Sequence, residues 1–236
     1  MAKSKVSKTG KIRLDKYISS QTKLSRTDAV KSIYHHKVFV NGKMASDPAM
    51  KVDVVSDEIT LNGEKLSFEE YIFYLLNKPA GVVSATEDKE YKTVCDLVPK
   101  DIPVFPIGRL DIDTEGLIVL TNDGKLAHDL TSPKKHVDKT YYAKIDGPVT
   151  DEMIKAFEEG FDYGEDKPSL PGKLEAINEN EALVTIHEGK FHQVKRMFKT
   201  FDREVLYLKR ISFGKLTLPE TLAVGEYIKI NKEDIV

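Results

Sequence analysis

The stretch Tyr71-Ile72-Phe73-Tyr74-Leu75-Leu76 most restricts what this chain can fold into. A strand with one wet face alternates apolar and polar residues, and this run does not. It is also far shorter than the ~20 apolar residues that span a bilayer. It therefore predicts an interior strand, broken at Asn77-Lys78-Pro79-Ala80-Gly81. Leu117-Ile118-Val119-Leu120 reads as a second buried strand, closed by the turn residues Asn122-Asp123-Gly124. The patterns predict further strands at 140–146, 182–187, 204–212 and 226–230. Helices are predicted over 125–130, 150–159 and 192–200. Strands outnumber helices and do not alternate with them regularly. The expected fold class is α+β, with a mixed, largely antiparallel sheet rather than a doubly wound one.

Ahead of this body lies a segment of different character. Residues 1–11 form a Lys/Ser/Thr-rich basic stretch without periodicity, predicted to be flexible. Residues 12–63 read as a small α+β domain. Leu14, Tyr17 and Ile18 recur at helical spacing. Ser25-Arg26-Thr27-Asp28 has the form of a capping box before Ala29, Val30 and Ile33. Two Asn-Gly hairpin turns follow, at Asn41-Gly42 and Asn62-Gly63. The polar residues 64–70 are expected to be a linker, and 71–236 a second domain. Residues 1–60 hold 12 Lys/Arg against 6 Asp/Glu, leaving 24 and 32 for the rest, so the overall charge of −2 hides a basic head on an acidic body. A basic head suits a polyanionic partner. The N-terminus lacks the apolar core of a secretory signal, which points to the cytoplasm. Cys95 is the sole cysteine, so neither an internal disulfide nor a cysteine-based zinc site is available, and no metal is expected.

Three clusters could carry chemistry. Gly108-Arg109-Leu110-Asp111-Ile112-Asp113-Thr114-Glu115-Gly116 sets acids and glycines directly before a buried strand, where a loop can hold a carboxylate over a cleft. Aspartates in such loops are more often turn and cap residues. A faint likeness to the Asp-x-Asp-x-Thr motif of haloacid-dehalogenase-type phosphotransferases fails on the threonine spacing. His187-Glu188-Gly189-Lys190-Phe191-His192-Gln193-Val194-Lys195-Arg196-Met197-Phe198 joins a turn to a cationic helix, with His192 and Arg196 four residues apart on one face. Its histidines lack zinc-ligand spacing. Lys139-Thr140-Tyr141-Tyr142 puts paired tyrosines in a strand, either as core or as a flat face for a base. There is no Gly-rich nucleotide loop, dinucleotide fingerprint or Ser-His-Asp order, so an enzyme working without a cofactor is expected.

Taken in order, these motifs resemble the ribosomal small-subunit branch of the pseudouridine synthases. The resemblance covers residues 12–236. It rests on Arg13-Leu14-Asp15-Lys16, Ser25-Arg26, Val40-Asn41-Gly42, Leu76-Asn77-Lys78-Pro79-x-Gly81, Gly108-Arg109-Leu110-Asp111-x-x-Thr114-x-Gly116, Thr121-Asn122-Asp123-Gly124, Lys139-Thr140-Tyr141 and Glu188-Gly189-Lys190-x-His192-Gln193-Val194-Lys195-Arg196. The first domain resembles the small RNA-binding domain of ribosomal protein S4. His35-His36 stands where such domains usually end their second helix on a glycine.

The resemblance implies isomerisation of uridine to pseudouridine in RNA, with no cofactor, at one uridine of 16S ribosomal RNA or of an assembling small subunit. It implies Asp111 as the catalytic carboxylate, Tyr141 stacked on the uracil, and Lys195 as the cation beside Asp111. Val194 would pack across the pocket, and Arg109 would fill the space left by the flipped base, with His192 and Arg196 as further RNA contacts. Arg13, Lys16, Arg26, Lys31 and Lys43 of the first domain are the expected phosphate contacts. A monomer with no membrane partner is expected. A large-subunit 23S paralogue, or a non-catalytic RNA-binding or ribosome-assembly protein, are the alternatives.

Overall fold

A computed structural model of the chain describes residues 10–132 and 135–236. The basic stretch expected to be flexible over 1–11 falls almost wholly outside them. The chain divides into two compact units, one running to Tyr71 and taking in Pro99–Pro103, the other comprising Ile72–Val98 and Val104–Val236.

The small unit contains β1 (Ile12–Arg13), α1 (Leu14–Gln21), α2 (Arg26–Tyr34), β2 (Val38–Val40), β3 (Lys43–Met44), β4 (Lys51–Val52), β5 (Ile59–Leu61) and β6 (Glu64–Leu66). A four-stranded sheet runs β3-β2-β5-β6, and β1 pairs with β4. Leu14, Tyr17 and Ile18 of α1 are buried with Ala29 and Ile33 of α2 against Val38, Val52 and Ile59. Ser25 caps α2 by accepting from the Asp28 N–H. The Asn-Gly turns close both hairpins, with Asn41 and Asn62 at φ 51° and 53°. The linker expected over 64–70 is corrected here. Glu64–Leu66 is a strand on β5, and Phe68 packs on the small core. Charge alone made this stretch look like a connection, but a strand at a sheet edge is often polar.

The helix end that lacks glycine still has the form a glycine would give. His36 N–H reaches Ile33 O and Lys37 N–H reaches Ser32 O, with His36 itself at φ 58°. This is a Schellman turn with a histidine in the left-handed position.

Asp15 orients two exposed cations of this unit, Arg13 and Arg26. It is 2% exposed and accepts from Arg13 at 2.7 Å and from Arg26 at 3.3 Å. The Arg13 hydrogen bond, against the opposing effect of burial and helped by Arg26, lowers its carboxyl to about 2. A folded value below the unfolded one contributes stability that is whole above about pH 4 and lost as pH falls toward 2. Allowing for screening of two half-exposed guanidiniums, the contribution is about 1–2 kcal/mol. Thermal unfolding of the parent and of Asp15→Asn should therefore differ most at neutral pH and converge at about pH 2. A gap that persists at pH 2 would refute the ion-pair account.

The larger unit contains β7 (Phe73–Lys78), β8 (Phe105–Pro106), β9 (Glu115–Thr121), α3 (Gly124–Thr131), β10 (Lys139–Ile145), α4 (Asp151–Glu159), β11 (Lys173–Ala176), β12 (Glu181–Ile186), α5 (Gln193–Lys199), β13 (Val205–Phe213), β14 (Leu216–Thr217), β15 (Tyr227–Lys229) and α6 (Lys232–Ile235). Its nine-stranded sheet runs β11-β12-β10-β13-β9-β7-β15, with β14 on β13 and β8 on β9. Every pairing is antiparallel except β13 with β9. The mixed, largely antiparallel α+β body is what the sequence predicts. Leu117 to Leu120 are wholly buried, as the continuous apolar run requires.

One boundary differs. β7 does not break at Asn77 but continues through Asn77 and Lys78, both buried. Asn77 is accommodated because its amide donates to Leu222 O at 2.8 Å, and Lys78 because backbone carbonyls surround its ammonium. Pro79, without an N–H, ends the strand.

Candidate active site

The Asp111 loop is held by three residues, Ser84, Gly81 and Lys78, to which the sequence alone assigned no role. Ser84 Oγ donates to Leu110 O at 2.8 Å and accepts from Leu110 N–H at 3.0 Å. Gly81 N–H donates to Ile112 O at 2.7 Å from a backbone at φ 81°, open to glycine. Lys78, fully buried, donates to Thr114 O at 2.8 Å, Pro79 O at 3.0 Å and Ile112 O at 3.3 Å. Burial lowers this ammonium to about 8, and Asp113, Asp111 and Glu115 limit the fall, so it stays largely charged at neutral pH. The loop is thus fastened through its backbone on both sides of Asp111, leaving the carboxylate itself unconstrained by these contacts. The signal for this was present in the Asn77-Lys78-Pro79-x-Gly81 motif, but no pattern says that a lysine serves a loop some 30 residues away.

Gly116 completes the mount. It sits at φ 104° where β9 meets β13, and a Cβ there would lie 2.2 Å from Arg210 O. Only glycine lets the two strands approach, which accounts for the second glycine of the motif.

From above, the turn into α5 faces the loop. Lys195 Nζ lies 3.5 Å from Asp111 Oδ2 and 2.6 Å from Asp113 Oδ1, and His192 Nε2 lies 3.6 Å from Asp111 Oδ1. The expected Asp111–Lys195 pair is therefore a shared one, with the shorter contact going to Asp113. Partial burial opposes the Asp113 carboxylate, but the Lys195 hydrogen bond and charge outweigh it, and the carboxyl falls below its ordinary range.

The expected common face of His192 and Arg196 does not form. His192 precedes the helix in a left-handed conformation, φ 48° and ψ 33°, so four-residue helical spacing does not apply to it. Arg196 instead binds Glu165 and Gly164 O and lies over the Tyr163 ring at 5.5 Å. Val194 is buried within the first turn of α5.

Tyr141 is buried on β10, paired across to Val184 and Arg210. Arg210 is in turn opposite Gly116. One row across the sheet therefore runs from the start of β9, fed by the Asp111 loop, to Tyr141. Tyr142 faces the other way, edge-on to Tyr207. Arg109 is exposed beside the loop.

In the small unit, Arg13 and Arg26 are engaged with Asp15, and Lys31 with Asp28 at 3.0 Å. Lys16 and Lys43 are exposed. The expected phosphate contacts are thus of two kinds, guanidiniums oriented by a buried acid and lysines on longer leashes.

A carboxylate on a rigid loop, with a cation and an imidazole beside it and a buried tyrosine in the adjoining sheet, can support chemistry at a sugar carbon. Comparison with known proteins decides which chemistry. Residues 72–200 match the model of the RNA pseudouridylate synthase family, and residues 12–59 that of the S4 domain. The chain belongs to the RNA pseudouridine synthase family. The synthase is 42% identical to the uncharacterized RNA pseudouridine synthase YtzG of Bacillus subtilis (strain 168), over 95% of this chain and 97% of the relative. It is 36% identical to ribosomal small subunit pseudouridine synthase A of Escherichia coli (strain K12), over 95% and 98%. A crystal structure of a pseudouridylate synthase superposes with a TM-score of 0.67 at 37% identity, covering 95% of this chain and 98% of that one. The matched region contains Asp111, Tyr141 and Lys195. No helix among the described residues is long and apolar enough to cross a membrane.

Proposed function

We propose that the synthase isomerises a single uridine of 16S ribosomal RNA, with Asp111 as its catalytic carboxylate and without a bound cofactor. The observation that carries the assignment of Asp111 is its setting, a backbone-fastened loop with Lys195 at 3.5 Å and His192 at 3.6 Å from its two oxygens. The bond from uracil N1 to C1′ breaks, the base turns, and C5 bonds to C1′. The C5 proton leaves and N1 gains one, so there is no net oxidation and no call for a redox partner. A carboxylate serves either by bonding covalently or by stabilising the electron-poor sugar carbon. Either role leaves negative charge on the carboxylate or positive charge at the sugar, and Lys195 stands 3.5 Å from that carboxylate as its cationic partner.

Tyr141 offers its ring to the uracil, with Val194 on the far side of the pocket. The base must first leave its stack, at a cost of a few kcal/mol, and Arg109, exposed in the same loop, fills the space it vacates in this reading. His192 lines the same opening. The small unit supplies affinity through Arg13, Lys16, Arg26, Lys31 and Lys43, whose charges meet phosphates and position the RNA without reading it. Arg196, paired with Glu165 and lying over Tyr163, meets the RNA from that fixed position in this reading. The small-subunit RNA is favoured over a 23S substrate by the run Gly189-Lys190-Phe191-His192-Gln193-Val194-Lys195-Arg196 and by the naming of relatives such as the Escherichia coli one.

Mapping pseudouridines in ribosomal RNA from cells lacking the protein tests the substrate. One 16S position should revert to uridine and regain modification when the gene is restored. Loss confined to 23S RNA would overturn the small-subunit assignment.

A further inference from the structure

Phe191 is 73% exposed, more than any other large aromatic side chain among the described residues. A single apolar residue on a surface needs no explanation. Phe191 differs in what lies behind it. Its ring stacks on His192, with centroids 3.8 Å apart and planes at 17°. His192 in turn stands 3.6 Å from Asp111. Carboxylate, imidazole and phenyl ring thus stand in succession, and the last presents its outer face to solvent.

The turn that displays this ring is rigid. Glu188 accepts from Leu170 N–H at 3.0 Å and from Gln193 Nε2 at 2.9 Å. Lys190 N–H donates to Gln193 Oε1 at 3.1 Å, and Gln193 N–H returns to Lys190 O at 3.2 Å. His192 keeps a left-handed backbone that a non-glycine residue adopts only at a cost. The structure therefore holds an apolar ring out in water, next to the reacting centre, where ordinary packing would fold it inward.

We infer that Phe191 is a stacking platform for a nucleobase adjacent to the target uridine, continuing the Phe191–His192 stack by one more ring. This inference rests on the chain acting on RNA, and goes beyond it by assigning the residue that receives a neighbouring base. Stacking accepts any base, since each has a π face, so the platform holds the RNA strand open beside the flipped uridine rather than reading its sequence.

The protein contains no tryptophan, so Phe191→Trp introduces a single fluorescent reporter at the platform. In-vitro transcribed 16S ribosomal RNA should quench its emission over the concentration range in which tritium release from 5-tritiated uridine saturates. Phe191→Leu should raise KM for the same transcript by about tenfold, while Phe191→Tyr stays within about twofold of the parent. The larger share of the change should fall on KM rather than kcat, and thermal unfolding of all three variants should match the parent. Quenching together with the leucine–tyrosine contrast supports the platform. An unquenched indole in a chain that turns over RNA, or a leucine variant with the parent KM, overturns it alone. A parent chain that releases no tritium from any RNA removes the RNA reading as well.

Discussion

Asp111→Asn is expected to reduce tritium release from RNA carrying 5-tritiated uridine by at least about 10⁴-fold, the scale on which loss of a covalent nucleophile acts. The change is nearly isosteric and leaves the mount intact. Ser84, Gly81 and Lys78 grip the backbone of residues 110–114 and do not touch the Asp111 carboxylate. Lys195 retains Asp113 at 2.6 Å. Folding and RNA affinity should therefore stay close to the parent, so that the loss falls on the chemical step. Release within tenfold of the parent would show that another group does the work. Salt-dependent RNA binding with no release by the parent itself would favour the non-catalytic binding protein instead.

The fold was legible where burial imposes a pattern. The continuous apolar runs became β7 and β9, the Asn-Gly pairs closed the hairpins of the small unit, and Ser25 caps its helix. Each of these is a local consequence of side chain and backbone. What failed was composition used as a boundary: 64–70 is polar yet carries β6, and Asn77-Lys78 is polar yet lies inside β7. The first is decided by a local partner, Ile59–Leu61 across the Asn62-Gly63 turn, and the second by partners distant in sequence, Leu222 and Thr114. The candidate site divides in the same way. The motifs singled out Asp111, Tyr141 and Lys195, and the structure brings Lys195 within 3.5 Å of Asp111. The sharing of Lys195 with Asp113, and the departure of Arg196 to Glu165, depend on where a loop and a short helix come to rest in three dimensions.

That sharing sets the second large effect. Lys195→Gln removes a cation that lies within 3.5 Å of Asp111 and 2.6 Å of Asp113, leaving two neighbouring carboxylates with His192 near Asp111 and the buried Lys78 below. At about 4 Å and an effective dielectric of 20, one such pair is worth roughly 4 kcal/mol, reduced by the partial exposure of the site. The expected loss in kcat/KM is on the order of 10²-fold. Lys195→Arg keeps the charge and should retain activity within about tenfold, since a guanidinium can serve both carboxylates through separate nitrogens. Asp113→Asn in the Lys195→Gln background should recover part of the loss, about three- to tenfold, by removing the repulsion that the first change exposes. That non-additivity separates electrostatic coupling from simple loss of packing, because residues that act independently would combine additively. A Lys195→Gln enzyme within twofold of the parent, or an arginine variant as slow as the glutamine one, would show that Asp111 does not depend on this cation. In that case His192, 3.6 Å from the other oxygen, becomes the partner to test next.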